Sequence, residues 1–143
     1  MEKEIDGIMQ VLEAYKSAIF EKNVDAFTQL YDSNARVFDT WNIWLFDNVN
    51  ARLPVIDAWL GGLGSERVTV NFDNVLVTYG HDLAMVSAVG TYAAVSLEGI
   101  ELRSMQNRFT WALRFSENAW KIIHEHTSVP IADDLRAKLN RDL

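Results

Sequence analysis

Cysteine is absent from these 143 residues, which removes disulfides, thiolate nucleophiles and cysteine-ligated zinc or iron–sulfur centres. Proline and glycine are scarce, at 2 and 7 residues, so long disordered or linker stretches are not expected. No run approaches the roughly 18–20 apolar residues that a membrane span needs. The opening Met1-Glu2-Lys3-Glu4-Ile5-Asp6 carries no apolar signal core, so the expectation is a cytoplasmic protein with no membrane partner. Positive charge is also short: 13 Lys and Arg against 20 Asp and Glu give a net charge of −7. That balance argues against binding a nucleic-acid phosphate backbone and against anionic lipid surfaces.

What is present suffices for a folded core. Half the chain is hydrophobic, at 49%, and the length fits one domain covering 1–143. Ile5, Ile8, Met9, Leu12, Tyr15 and Ile19 recur at spacings of three and four, predicting an amphipathic helix of about five turns. Asn23 is placed as the N-cap of a short second helix with Phe27, Leu30 and Tyr31 on its apolar face. Asp32-Ser33-Asn34 breaks that pattern with turn formers. Two short strands are expected over 36–39 and 41–46, then a helix over 51–60 stopped by Gly61-Gly62. From Val68 the period shifts to two. Strands are expected over 68–76, 83–96, 103–115 and 120–128, and a polar terminal helix over 132–143. Helices followed by a four-stranded antiparallel meander define an α+β fold, with helices covering one face of a curved sheet.

The last two strands carry the strongest functional pattern. Met105, Asn107, Phe109, Trp111, Leu113 and Phe115 share one face of the first. Regular alternation puts Trp120, Ile122, His124, His126 and Ser128 on the same face of the second. Phe115 then lies opposite Trp120, His124 opposite Trp111, His126 opposite Phe109, and Ser128 opposite Asn107. A mostly apolar cavity with convergent polar Asn107, His124, His126 and Ser128 is the expectation. Structural hydrogen bonding of the two histidines is the competing reading. The His-x-His pair could also supply two imidazoles to a metal, with Asp39 as a third ligand, but no metal and no cofactor are expected. Regular alternation sends Arg108 and Glu125 to the opposite face, as an exposed cross-strand pair.

Asp39 stands among aromatics in Val37-Phe38-Asp39-Thr40-Trp41. A carboxyl in such surroundings can serve as a general base, or it can simply cap a strand end. Trp41 and Trp44 are candidate cavity walls beside it, or plain core. The strand 83–96 is apolar on both faces, which points to a homodimer formed through the sheet.

With these residues in place, the chain resembles the SnoaL-like and ketosteroid-isomerase-like members of the nuclear-transport-factor-2 superfamily. The tail Trp120-Lys121-Ile122-Ile123-His124-Glu125-His126-Thr127-Ser128-Val129-Pro130, with Arg108-Phe109-Thr110 before it, is similar to a subgroup near the calmodulin-dependent kinase II association domain. The resemblance implies a cone-shaped NTF2-like fold, a cavity between sheet and helices, and homodimers. It also matches Tyr15 to an oxyanion-binding tyrosine and Asp39 to a proton-shuttling aspartate, a pairing for which ketosteroid isomerase is the standing example. The isomerases' second acid has no counterpart, since 103–114 holds no Asp or Glu. Two functions stay open. One is cofactor-independent isomerisation, cyclisation or dehydration of a small apolar carbonyl compound, with Asp39 as base and Tyr15, His124 or His126 as donor. The other is a non-catalytic ligand-binding or assembly module.

Overall fold

The computed structural model describes residues 2–141. Helix α1 (Glu2–Phe20) buries Ile8, Val11, Leu12, Tyr15, Ala18 and Ile19, a stripe at spacings of three and four that faces the sheet. The predicted Ile5 and Met9 lie at its margin, each 38% exposed. Asn23 caps helix α2 (Val24–Gln29) by accepting from the Ala26 N–H at 3.0 Å. Helix α3 (Val49–Gly61) is capped in the same way by Asn48, which accepts from Ala51 N–H at 2.9 Å.

Five strands form one sheet in the order β1-β5-β4-β3-β2. They are β1 (Tyr31–Phe38), β2 (Arg67–Tyr79), β3 (Leu83–Val95), β4 (Glu101–Ser116) and β5 (Ala119–Ser128). The expected antiparallel meander is β2 to β5. Strand β1 adds to it by running parallel to β5. The turn formers Asp32-Ser33-Asn34 therefore do not end an element. They lie inside β1, where the pairing register shifts between Tyr31 and Arg36, so they make a bulge. Tyr31 opens that strand and is no part of the α2 face.

The segment 41–46 does not form the expected strand. Only Phe46 pairs, exchanging backbone bonds of 3.0 and 2.8 Å with Val37. The polar helix expected over 132–143 is also absent from the described residues up to 141, and its last two positions lie outside them. This segment folds back on itself past the end of β5, through a turn across which Ile131 bridges Ala137 antiparallel. Gln106 N–H on β4 donates to Leu139 C=O at 2.6 Å.

The inner face of the sheet and the helices enclose an aromatic core. The Tyr15 ring lies 5.4–6.2 Å from Phe27, Phe72, Phe109 and Trp111. Each such contact adds to the burial of these large rings. No described helix is long and apolar enough to cross a membrane.

Candidate functional site

The β4–β5 hairpin begins in the expected register. Glu117 and Asn118 take positive φ at the turn, and Phe115 pairs with Trp120 and Leu113 with Ile122. Then the register shifts, because Ala112 pairs with His124 and Ile123 is the extra residue of a bulge. From that point every side chain of β5 lies on the face opposite to that given by strict alternation. Glu125 stands opposite Trp111 and Thr127 opposite Phe109, both on the inner face.

Three expectations fall with that slip. His124 and His126 are not on the inner face. They pack edge-on against the Phe38 ring, at 5.0 and 5.2 Å. Burial, and then the neighbouring His126, holds the His124 imidazole below its ordinary value. Ser128 faces away from Asn107 and accepts from Arg108 Nε at 3.0 Å. Glu125, expected on the surface beside Arg108, is instead 0% exposed. Among the described residues, no three His, Asp or Glu side chains come together as metal ligands.

A buried charge cluster takes the place of the histidines. Glu125 Oε1 accepts from Tyr31 OH and from Trp111 Nε1, the latter at 2.9 Å. Arg52 Nη1 lies 2.8 Å from Glu125 Oε2, close enough for an ion pair although not aligned as a hydrogen bond. Arg52 Nη2 reaches Asp39 Oδ2 at 3.3 Å. Burial alone would lower the Arg52 guanidinium. Glu125, then Tyr31 and Asp39, outweigh that effect and hold it well above its ordinary value. Sequence reading missed Arg52, yet its signal was present. Val49, Arg52, Ile56 and Leu60 form the buried stripe of α3, with an arginine where a regular stripe would have an apolar residue.

These groups form part of the wall of a cavity of about 360 Å³, within the range of about 300–1,000 Å³ usual for small-molecule sites. Tyr15, Asp39, Trp41 and Asn107, all singled out from the sequence, line it together with Arg52 and Glu125. Val55, Ile56, Trp59 and Met105 supply apolar wall. Phe109 and Trp111 are core residues beneath it, with 1% and 0% exposure. Trp44 is 92% exposed and stands clear of the cavity, because the segment carrying it forms a loop.

Tyr15 OH and Tyr92 OH lie 2.8 Å apart across the cavity from α1 to β3. Burial pushes Tyr15 well above the usual phenol range, with Tyr92 and Glu125 adding to it. Tyr92 is pushed up to about 12, again mainly by burial. Both hydroxyls therefore keep their protons at neutral pH. One hydrogen joins the pair and the other is left to donate elsewhere.

The SnoaL-like domain family matches residues 8–132 of the chain. No curated protein matches it by sequence. An NTF2-like protein of unknown function from Pseudomonas putida KT2440 superposes with a TM-score of 0.86 at 18% identity, covering 100% of this chain and 99% of that one. A candidate calcium/calmodulin-dependent protein kinase II association domain from Xanthomonas campestris gives 0.72 at 16% identity, over 85% and 84%. A candidate scytalone dehydratase from Novosphingobium aromaticivorans DSM 12444 gives 0.73 at 12% identity, over 87% and 82%. At these identities the likeness establishes the fold alone.

Proposed function

Because the chain belongs to the SnoaL-like domain family, we propose that its cavity holds a small, largely apolar carbonyl compound on which Asp39 acts as general base. The placement of Asp39 is the observation that carries this reading. Its side chain is 13% exposed at the cavity wall, and among the described residues only Arg52 holds Oδ2, at 3.3 Å. Its other oxygen accepts no more than a long 3.4 Å bond from Trp41 N–H. A lone pair is therefore free to take a proton from a carbon beside the ligand's carbonyl. The carbonyl oxygen gains negative charge in that step, and the spare hydrogen of the Tyr15–Tyr92 pair stabilises it. Isomerisation, cyclisation and dehydration all begin in this way and need no cofactor.

The Asp39→Asn variant, with its circular dichroism unchanged, is expected to lose turnover by about 100-fold or more. Undiminished turnover would remove Asp39 as the base.

One observation favours the non-catalytic alternative. Positions 103–114 of β4 hold no carboxylate, and Arg52 already engages one oxygen of Asp39. On that reading a bound compound is recovered unchanged, and Asp39→Asn keeps its affinity. The outer face of the sheet also leaves Met85 45% exposed, with Val89 partly exposed on the same strand. That face supports a homodimer through the sheet, for which light scattering would report twice the 16.3 kDa of the chain. A monomer at micromolar concentration would contradict it.

A further inference from the structure

The polar wall of the cavity is unbalanced in charge. Arg52 contributes one positive charge between two carboxylates, those of Asp39 and Glu125. The guanidinium is thus engaged on both sides, and the local balance is negative. A second carboxylate brought into this enclosed space meets repulsion that water screens poorly. It would also lose its own hydration with no free cation to replace it.

The hydrogen-bonding groups point the same way. Among the described residues lining the cavity, Arg52 is the one cation. Its Nε has no partner but is closed off from the cavity, and its two terminal nitrogens face the carboxylates. A carboxylate entering the cavity therefore finds no free charged donor.

We propose that the cavity selects ligands without negative charge. This rests on the reading of the cavity as a small-molecule site, and it narrows the class of compound admitted. A neutral carbonyl compound is admitted. A carboxylic acid, ionised at neutral pH, is excluded.

Three probes with one apolar body test it by calorimetry at pH 7: 2-naphthylmethanol, 2-naphthylmethylammonium and 2-naphthoate. The alcohol and the ammonium compound are expected to bind, and the carboxylate at least about tenfold more weakly. In Asp39→Asn, where one positive charge faces one negative, most of the deficit of the carboxylate is expected to disappear. Naphthoate binding as well as the alcohol would overturn the charge selectivity while leaving the ligand site intact, and so would a deficit unchanged in Asp39→Asn. Failure of all three probes to bind would remove the ligand site itself, and the selectivity with it.

Discussion

Glu125 and Arg52 are both more than nine-tenths buried, and each depends on the other. Removing one partner of such a pair strands a charge in the interior, at a cost of about 3–5 kcal/mol. Arg52→Met is therefore expected to lower the unfolding free energy by about that amount in urea denaturation. In Glu125→Gln the amide oxygen still accepts from Tyr31 and Trp111, so a smaller loss of about 1–3 kcal/mol is expected. A change below about 1 kcal/mol in Arg52→Met would mean that the pair does not hold the site. Tyr15, Tyr31 and Tyr92 supply a pH signature. Their folded values are raised, mainly by burial. The stability they contribute is present below the unfolded value of about 10 and is lost as pH rises through the folded values, about 12 for Tyr92. Absorbance at 295 nm should show these three ionising together with unfolding. Their smooth titration in a folded protein at pH 11 would contradict the burial. At this scale the sequence was partly legible: Tyr15, Asp39, Trp41 and Asn107 do share one cavity. Arg52 was missed because an arginine on a surface helix is ordinarily read as solvated.

Strand β5 shows why the rest of the site was hidden. Alternation is a reliable guide only while the ladder is regular, and a single extra residue inverts it. Nothing in Trp120-Lys121-Ile122-Ile123-His124-Glu125-His126 marks Ile123 as that residue. A glycine would have been a hint, but an isoleucine is an ordinary strand residue. Consequently the histidines were assigned to the cavity and Glu125 to solvent, when each lies on the other side. This inversion has a direct consequence for mutagenesis. The double variant His124→Ala, His126→Ala is expected to bind 2-naphthylmethanol within about twofold of the parent protein, because neither ring lines the cavity. Loss of binding in that variant, with the fold retained, would restore the histidines to the site. The lowered His124 value adds a small acid sensitivity. Its contribution to stability is present above the unfolded value of about 6.5 and is lost as pH falls through the lower folded value.

For the molecule as a whole, the α+β class and the curved sheet with N-terminal helices were readable from periodicity and turn residues, and the fold neighbours agree. Strand β1 was only half seen, because its pairing with β5 joins residues some 90 positions apart, such as Tyr31 and Ile122. Local pattern carries no trace of such a contact. The C-terminal segment failed for a related reason. Its polar residues suit a helix, but a free stretch of β4 edge beyond Ser128 offers backbone partners such as Gln106 N–H instead. These long-range pairings set the cavity, since β1 leads into Asp39, β5 carries Glu125 and α3 places Arg52 between them. A small molecule is expected to bind in this cavity and not on the outer face of the sheet. An NMR titration of the ¹⁵N-labelled protein with 2-naphthylmethanol tests it most directly. Shifts are expected to concentrate at Tyr92, Asn107, Arg52 and the Trp41 indole. Shifts centred on Phe38, His124 and His126, or no shifts at millimolar probe, would contradict it.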